Sequence, residues 1–295
     1  MFKKELKKVG GIYFSEFENF TSKTISEFYN EKPFPNYKAN ENMISFLDRG
    51  NKNIFIKKLK SHIGMGKKIL EVGCGTGQVS NYLAAQTNNQ VFGLDLGINS
   101  LNIAKEFADK NDIKNVFFIN GDLFEDIFEE EKFDVIYCSG VLHHTDQPKE
   151  GFKNLVRLLK PNGIIIIGLY NWYGRIWTVL KSKLLSFSFF KKYAWIVDNK
   201  LKEFKYHPAK YHAWYQDQFQ HPVESLHTFC ETSEWFDQEK IKFTLSVPSI
   251  TTDDEINFNE PQDKGKKFMR IVKQISMIFN HFGKEGGLYI FVGRK

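Results

Sequence analysis

The sequence predicts an α/β fold: a doubly wound, mostly parallel sheet with an N-terminal helical cap and an insertion after the fifth strand. Three observations carry this reading. Between Lys68 and Tyr170, five short apolar runs alternate with segments whose apolar residues recur at helical spacing. The first apolar run opens into a turn with three glycines at Gly73, Gly75 and Gly77. The strand-helix rhythm then breaks after Tyr170 and resumes only near Thr228.

Taken in order, Lys68–Val72 is a short apolar strand, and Val79, Tyr82 and Leu83 follow at helical spacing. Gln90–Leu94 is the second strand, and the helix from Ser100 to Ala108 places Leu101, Ala104 and Ala108 on one face. Val116–Asn120 and Phe133–Ser139 are the third and fourth strands. A helix with Phe152, Leu155, Val156 and Leu159 is stopped by Pro161-Asn162-Gly163. The fifth strand, Ile164–Tyr170, is apolar throughout, as expected for a strand covered on both faces. Thr228-x-x-Glu231 reads as a capping box opening a helix through Trp235 and Phe236. Lys242–Val247 and Leu288–Val292 are further strands, with a helix holding Met269, Val272, Ile275, Ile278 and Phe279 between them. The expected organisation is an N-terminal helical cap over 1–60, a cofactor-binding core over 61–171, a lid or acceptor insertion over 172–227, and a C-terminal completion of the sheet over 228–295.

The chain has 295 residues, 42% hydrophobic and 26% charged, with 29 Phe, 12 Tyr and 5 Trp. That composition supports a large core and excludes disorder as the main state. Cys74, Cys138 and Cys230 make no disulfide framework and show no metal spacing, which points to a reducing, cytoplasmic setting. No apolar run approaches the roughly 20 residues a membrane span needs, and Lys7 and Lys8 interrupt any leader that Lys3 and Lys4 would begin. The net charge of +6 is uneven. Residues 172–215 hold 9 basic and 2 acidic residues, net +7, while 61–171 hold 10 and 14, net −4. A basic stretch of this kind is a solvated surface or attracts phosphates or an anionic membrane surface.

The glycine turn, Glu71-Val72-Gly73-Cys74-Gly75-Thr76-Gly77-Gln78, lies where a buried strand becomes a helix. Backbone N–H groups at such a helix start face a ligand. The dinucleotide fingerprint places its third glycine three residues after the second, where this chain has Gln78. Asp95 closes the second strand, where a carboxylate can accept from both ribose hydroxyls, and Asp122 follows the third, where one can accept from an adenine amino group. With Glu71, acids thus stand at the ends of three successive strands, along the carboxyl edge where such sheets bind ligands.

These motifs resemble the class I S-adenosylmethionine-dependent methyltransferases over roughly residues 65–170, and Val141-Leu142-His143-His144 is similar to a variant found in their small-molecule branch. The resemblance implies a seven-stranded Rossmann-like sheet with the last strand, Leu288–Val292, inserted antiparallel between the fifth strand and Lys242–Val247. It implies S-adenosyl-L-methionine as cofactor, with Glu71, Gly73, Cys74, Gly75 and Gly77 around its methionine part, Asp95 on the ribose, Leu96 against the adenine, Asp122 and Leu123 at the adenine edge, and Gly140 under the methionine moiety. The Asn/Asp-Pro-Pro-aromatic motif of DNA amino-methyltransferases is lacking, which argues against a DNA base as acceptor. Phe34-Pro35-Asn36-Tyr37, Gly168-Leu169-Tyr170-Asn171, His221-Pro222-Val223-Glu224 and Gly286-Gly287 resemble a bacterial branch that fixes no acceptor.

Candidate catalytic residues are His143, His144, His221 and His227, because a base working near neutral pH is most readily a histidine. Tyr37, Tyr170, Asn171 and Glu224 are assigned to the acceptor side. His221, Glu224 and His227 do not match the zinc-protease spacing, and no metal is expected. The apolar face of Ile176, Val179, Leu180 and Leu184, flanked by Arg175, Lys181 and Lys183, packs on the sheet domain or forms a greasy lid that meets a lipid or quinone precursor. The acceptor is expected to be a small or lipid-like molecule, with peripheral membrane contact in view. An RNA methyltransferase, a nicotinamide-dependent oxidoreductase and a non-catalytic cofactor-binding protein are the alternatives. No RNA-binding module is appended, and Gln78 and Asp122 argue against the oxidoreductase.

Overall fold

The computed structural model describes residues 1–295 except 32, 34–36, 38–40, 187–193, 220–221, 251–254 and 280–286. The role expected for His221, and the motif residues Phe34-Pro35-Asn36 and Gly286, therefore lie outside the described residues.

The chain begins with a short hairpin, β1 (Lys7–Val9) and β2 (Ile12–Phe14), followed by three helices, α1 (Phe20–Glu31), α2 (Met43–Asn51) and α3 (Ile54–Ile63). Asn42 and Ser45 form a reciprocal capping box at the start of α2, and the Asn53 side chain caps α3. The alternating core then runs β3 (Lys68–Val72), α4 (Gln78–Ala84), β4 (Gln90–Asp95), α5 (Ile98–Lys110), β5 (Val116–Asn120), β6 (Phe133–Ser139), α6 (Pro148–Leu158) and β7 (Leu159–Tyr170). The described residues after β7 include α7 (Trp172–Leu185), α8 (Ala194–Val197), α9 (Asn199–Glu203) and α10 (Pro208–Phe219). The chain closes with α11 (Phe229–Gln238), β8 (Lys242–Val247), α12 (Lys267–Phe279) and β9 (Leu288–Arg294).

The strand order is β1-β2-β5-β4-β3-β6-β7-β9-β8. The central strands are parallel, and β9 inserts antiparallel between β7 and β8 as the resemblance implies. Among the described residues the sheet has nine strands rather than seven, because residues 7–14 are a hairpin and not part of a purely helical cap. Gly10 and Gly11, both at positive φ, close the hairpin, and β2 pairs in parallel with the edge of β5. The added strands cover an edge that is otherwise open to pairing with another chain.

Alternation along each strand sorts the core into two layers. Leu70, Val72, Ile165 and Ile167 point into one cluster, while Ile69, Val91, Ile164 and Ile166 point into the other. A sheet with helices on both faces demands this two-sided apolarity. The carboxyl ends of β3, β4, β5 and β6 are thereby left as the place where side chains and loop backbone converge on open space.

The cap is tied to the glycine turn by charge. Arg49 of α2 bonds both carboxylate oxygens of Glu41, at 2.8 and 2.9 Å, and donates to Oε1 of Gln78, the first residue of α4, at 2.6 Å. The Glu41 side chain is only 2% exposed. Replacing Arg49 with Ala strips a buried carboxylate of its guanidinium, and we expect a loss of about 2–3 kcal/mol in urea unfolding. Arg49→Lys should recover little of it, because one ammonium does not span both carboxylate oxygens and Gln78.

Candidate functional site

The turn between β3 and α4 is held open by backbone that only glycine tolerates. Gly73 has φ +68°, and a Cβ there would lie 2.1 Å from Cγ2 of Val141. The Gly73 and Cys74 amides donate to the Leu94 carbonyl at 2.8 and 3.2 Å, which draws the turn against the end of β4. Asp95 completes the join: one carboxylate oxygen accepts from the Gly75 amide and the other from the Gly97 amide, both at 2.7 Å. Burial raises the Asp95 carboxyl above its usual range, and those backbone donors oppose the rise.

A cavity of about 290 Å³ opens over this edge. Of the residues expected at the cofactor, Gly73, Gly75, Asp95, Leu96, Asp122, Leu123 and Gly140 line it. Of those expected near the acceptor, His144 and Tyr170 line it. Gly140 has φ +80°, and a Cβ there would meet no heavy atom within 4 Å, so the β6 end presents bare backbone to the cavity. Three carboxyl groups, Asp95, Asp122 and Asp146, stand in the wall and favour a ligand with positive charge.

Sequence reasoning missed one wall altogether. Asn19, Thr21, Ser22, Ile25 and Tyr29, in and just before α1, lie over the cavity. The Ser22 hydroxyl donates to Asp122 in a very short bond, Ser26 donates to the Leu96 carbonyl at 2.8 Å, and Asn99 of α5 holds the Asn30 carbonyl at 2.8 Å. These are ordinary polar residues on an amphipathic helix, and their spacing carries no ligand signal.

Other expected site residues are placed elsewhere and have packing partners there. Glu71 is buried and accepts from the Ser80 hydroxyl; burial pushes its carboxyl up to about 8. The Cys74 side chain turns into the core beside Gly93, and Gly77 is the N-cap of α4, against Ala104 and Phe118. Tyr37 stacks on Phe107 at 3.9 Å and accepts from Asn81. Asn171 caps α7, its oxygen accepting from the Tyr173 and Gly174 amides. His143 is fully buried, 4.0 Å from the Tyr170 ring. His227 lies between Ser225 and Glu231, at 2.8 and 2.9 Å. Among the described residues, no group of three or more His, Cys, Asp or Glu is placed to hold a metal ion.

Among the described histidines, His144 borders the cavity and the others do not. Its Nδ1 lies 2.7 Å from the Val223 carbonyl, a pure acceptor, so Nδ1–H donates and the neutral ring carries its lone pair on Nε2. Burial lowers its pKa to about 4, and Arg175 adds to the fall. Behind Tyr170 stands Arg175, which is fully buried rather than a flanking surface charge. Its guanidinium lies 3.9 Å from the Tyr170 ring, pairs with Glu224 at 2.5 and 3.1 Å, and donates to Gln218 at 2.6 Å. Gln218 in turn donates to the Tyr170 hydroxyl at 3.2 Å. Glu224 thus holds the wall of the cavity from behind.

Residues 63–241 match the family model described as a methyltransferase domain. A ubiquinone biosynthesis O-methyltransferase of Rickettsia bellii is 34% identical over 121 residues, which cover 40% of this chain and 49% of that protein. Phosphoethanolamine N-methyltransferase 1 of Triticum aestivum is 34% identical over 116 residues, 39% of this chain and 23% of that protein. The chain thus spans about half of the first relative and about a quarter of the second. Among solved structures, PKMT2 from Rickettsia typhi superposes with a TM-score of 0.58 at 17% identity, covering 81% of this chain and 52% of that one. That likeness establishes the fold.

The depressed His144 pKa has a thermodynamic consequence. Below the unfolded value of about 6.5 the unfolded chain takes up a proton that the folded ring refuses until about pH 4. Stability contributed by neutral His144 is therefore present above pH 6.5 and lost as pH falls toward 4. The urea-midpoint difference between wild type and His144→Asn should shrink over that window, by an amount equivalent to at most about 3 kcal/mol.

Proposed function

The chain belongs to the methyltransferase-domain family, and from that premise we propose that it is an S-adenosylmethionine-dependent methyltransferase acting on a small, phenolic or lipid-like acceptor. The observation that carries the proposal is the meeting, on one cavity, of the glycine turn after β3 with Asp95 after β4, Asp122 after β5 and the bare backbone of Gly140 after β6. When bound, the cofactor supplies an electrophilic methyl group on a sulfonium.

Each element has a defined task. Asp95 is fixed by two backbone amides, and its remaining lone pairs accept from ribose hydroxyls. Leu96 and Leu123 provide apolar surfaces for the adenine, and Asp122, already oriented by Ser22 and by the Phe124 amide at 3.1 Å, accepts from its amino group. Gly140 leaves room for the methionine part, and α1 closes over the site from above. In-line displacement needs alignment above all, and well-oriented systems gain up to about 7–11 kcal/mol from it.

On the acceptor side, Tyr170 and Val141 supply apolar surface, and His144 supplies the hydrogen-bond acceptor. A hydroxyl donating to Nε2 of His144 would have its oxygen oriented, and the ring would take its proton as the oxygen receives the methyl group and the S–C bond of the sulfonium breaks. The low proton affinity of the ring keeps it neutral across the physiological range. Arg175 acts through Tyr170 and is a positioning residue. The relatives include an O-methyltransferase of ubiquinone biosynthesis, which supports phenolic acceptors as the first to try.

The test is transfer of labelled methyl from S-adenosylmethionine to a panel of catechols and prenylated phenols. We expect turnover on at least one, and we expect His144→Gln to lower kcat by roughly a hundredfold or more while cofactor affinity stays near wild type. Arg175→Met should raise the acceptor KM more than it lowers kcat. Transfer by His144→Gln at the wild-type rate would remove the histidine from the reaction.

A further inference from the structure

We propose that α7 and α12 together form a docking face for an anionic lipid bilayer. The two helices pack side by side, and the Trp177 indole donates to the Ile278 carbonyl at 3.0 Å. Each leaves a stripe of large apolar side chains in solvent. On α7 these are Trp177, Leu180 and Leu184, at spacings of three and four residues, and on α12 they include Val272, Ile275 and Phe279, at spacings of three and four. Leu180 is 53% exposed, Ile275 41% and Phe279 74%. A gathering of exposed large apolar side chains of this kind marks an interaction surface.

Charge selects the occupant. Neither helix contains an acidic residue, and Lys183 of α7 and Lys267 and Lys273 of α12 supply positive charge, whereas Lys181 pairs with Asp198 at 3.6 Å and Arg270 donates to the Lys264 and Gly265 carbonyls. An amphipathic surface with a tryptophan and basic flanks fits the interface of an anionic bilayer, where apolar side chains enter the acyl boundary and lysines meet headgroups. A second copy of the chain fits poorly, because a two-fold contact would set Lys183, Lys267 and Lys273 against like charges. Among the described residues no helix is long and apolar enough to cross a membrane, so the contact is peripheral. The face also joins the cavity: Arg175, on the inner side of α7, stacks on the cavity residue Tyr170. Docking therefore brings the acceptor wall to the bilayer, although the inference does not depend on the methyl-transfer reading.

Sedimentation of the full chain with vesicles tests this. We expect binding to vesicles containing phosphatidylglycerol, little binding to pure phosphatidylcholine, and release by salt. Leu180→Glu combined with Ile275→Glu should weaken binding by roughly tenfold or more. Lys183→Glu with Lys267→Glu and Lys273→Glu should abolish the preference for anionic lipid. Circular dichroism and S-adenosylhomocysteine affinity of each variant should match wild type, which separates loss of docking from loss of the fold or of the cofactor site. Failure of the wild type to sediment, or equal sedimentation of the apolar-face variant, would overturn the proposal. So would a dimer, seen by light scattering, that the Leu180→Glu, Ile275→Glu variant splits.

Discussion

The join between the glycine turn and Asp95 is the constraint on which the site depends. Two parallel strands end side by side, and the chain leaving one must turn sharply without losing contact with the other. Gly73 makes the turn at a backbone angle disfavoured for other residues, with Val141 pressed against the space a side chain would need. Asp95 then bonds the Gly75 amide with one oxygen and the Gly97 amide with the other. One carboxylate thus fixes the start of two strand-helix connections. That arrangement sets the direction of the turn amides, and it is why the cavity lies over β3, β4 and β5.

Around this fixed edge the walls come from parts of the chain far away in sequence. The α1 wall reaches Asp122 and Leu96 through Ser22 and Ser26. The opposite wall depends on Arg175, whose buried charge is neutralised by Glu224 and whose flat guanidinium supports the Tyr170 ring. A buried arginine is tolerated only with such satisfaction, and removing its partner is more costly than never having had the pair. Through α7, the same residue connects the acceptor wall to the exposed apolar face of the insertion. Site and surface are in this way properties of one helix.

Much of this architecture was legible in the residues. The run from Ile164 to Ile167 must be covered on both sides, and the structure buries it in two layers. Strand order at the C-terminal edge followed from the family resemblance, whereas Asp95 and Asp122 stood out by their positions after the second and third strands. The N-terminal hairpin escaped because three-residue strands are too short for alternation to show, although Gly10-Gly11 between two apolar ends was the available signal. Arg175 read as a surface charge because nothing local indicates that Gln218 and Glu224 fold back onto it. The serines of α1 were silent for the same reason. Glu71 and Cys74 fit the motif but turn their side chains into packing contacts, since a motif fixes the backbone path more firmly than it fixes side-chain direction.

We propose that the cavity over the β3–β5 edge binds the cofactor through Asp95. Isothermal titration of the full chain with S-adenosylhomocysteine tests it most directly. We expect saturable one-to-one binding that Asp95→Ala weakens by roughly tenfold or more, the cost of losing hydrogen bonds to a charged group. No binding by the wild type, or equal affinity in Asp95→Ala, would contradict it.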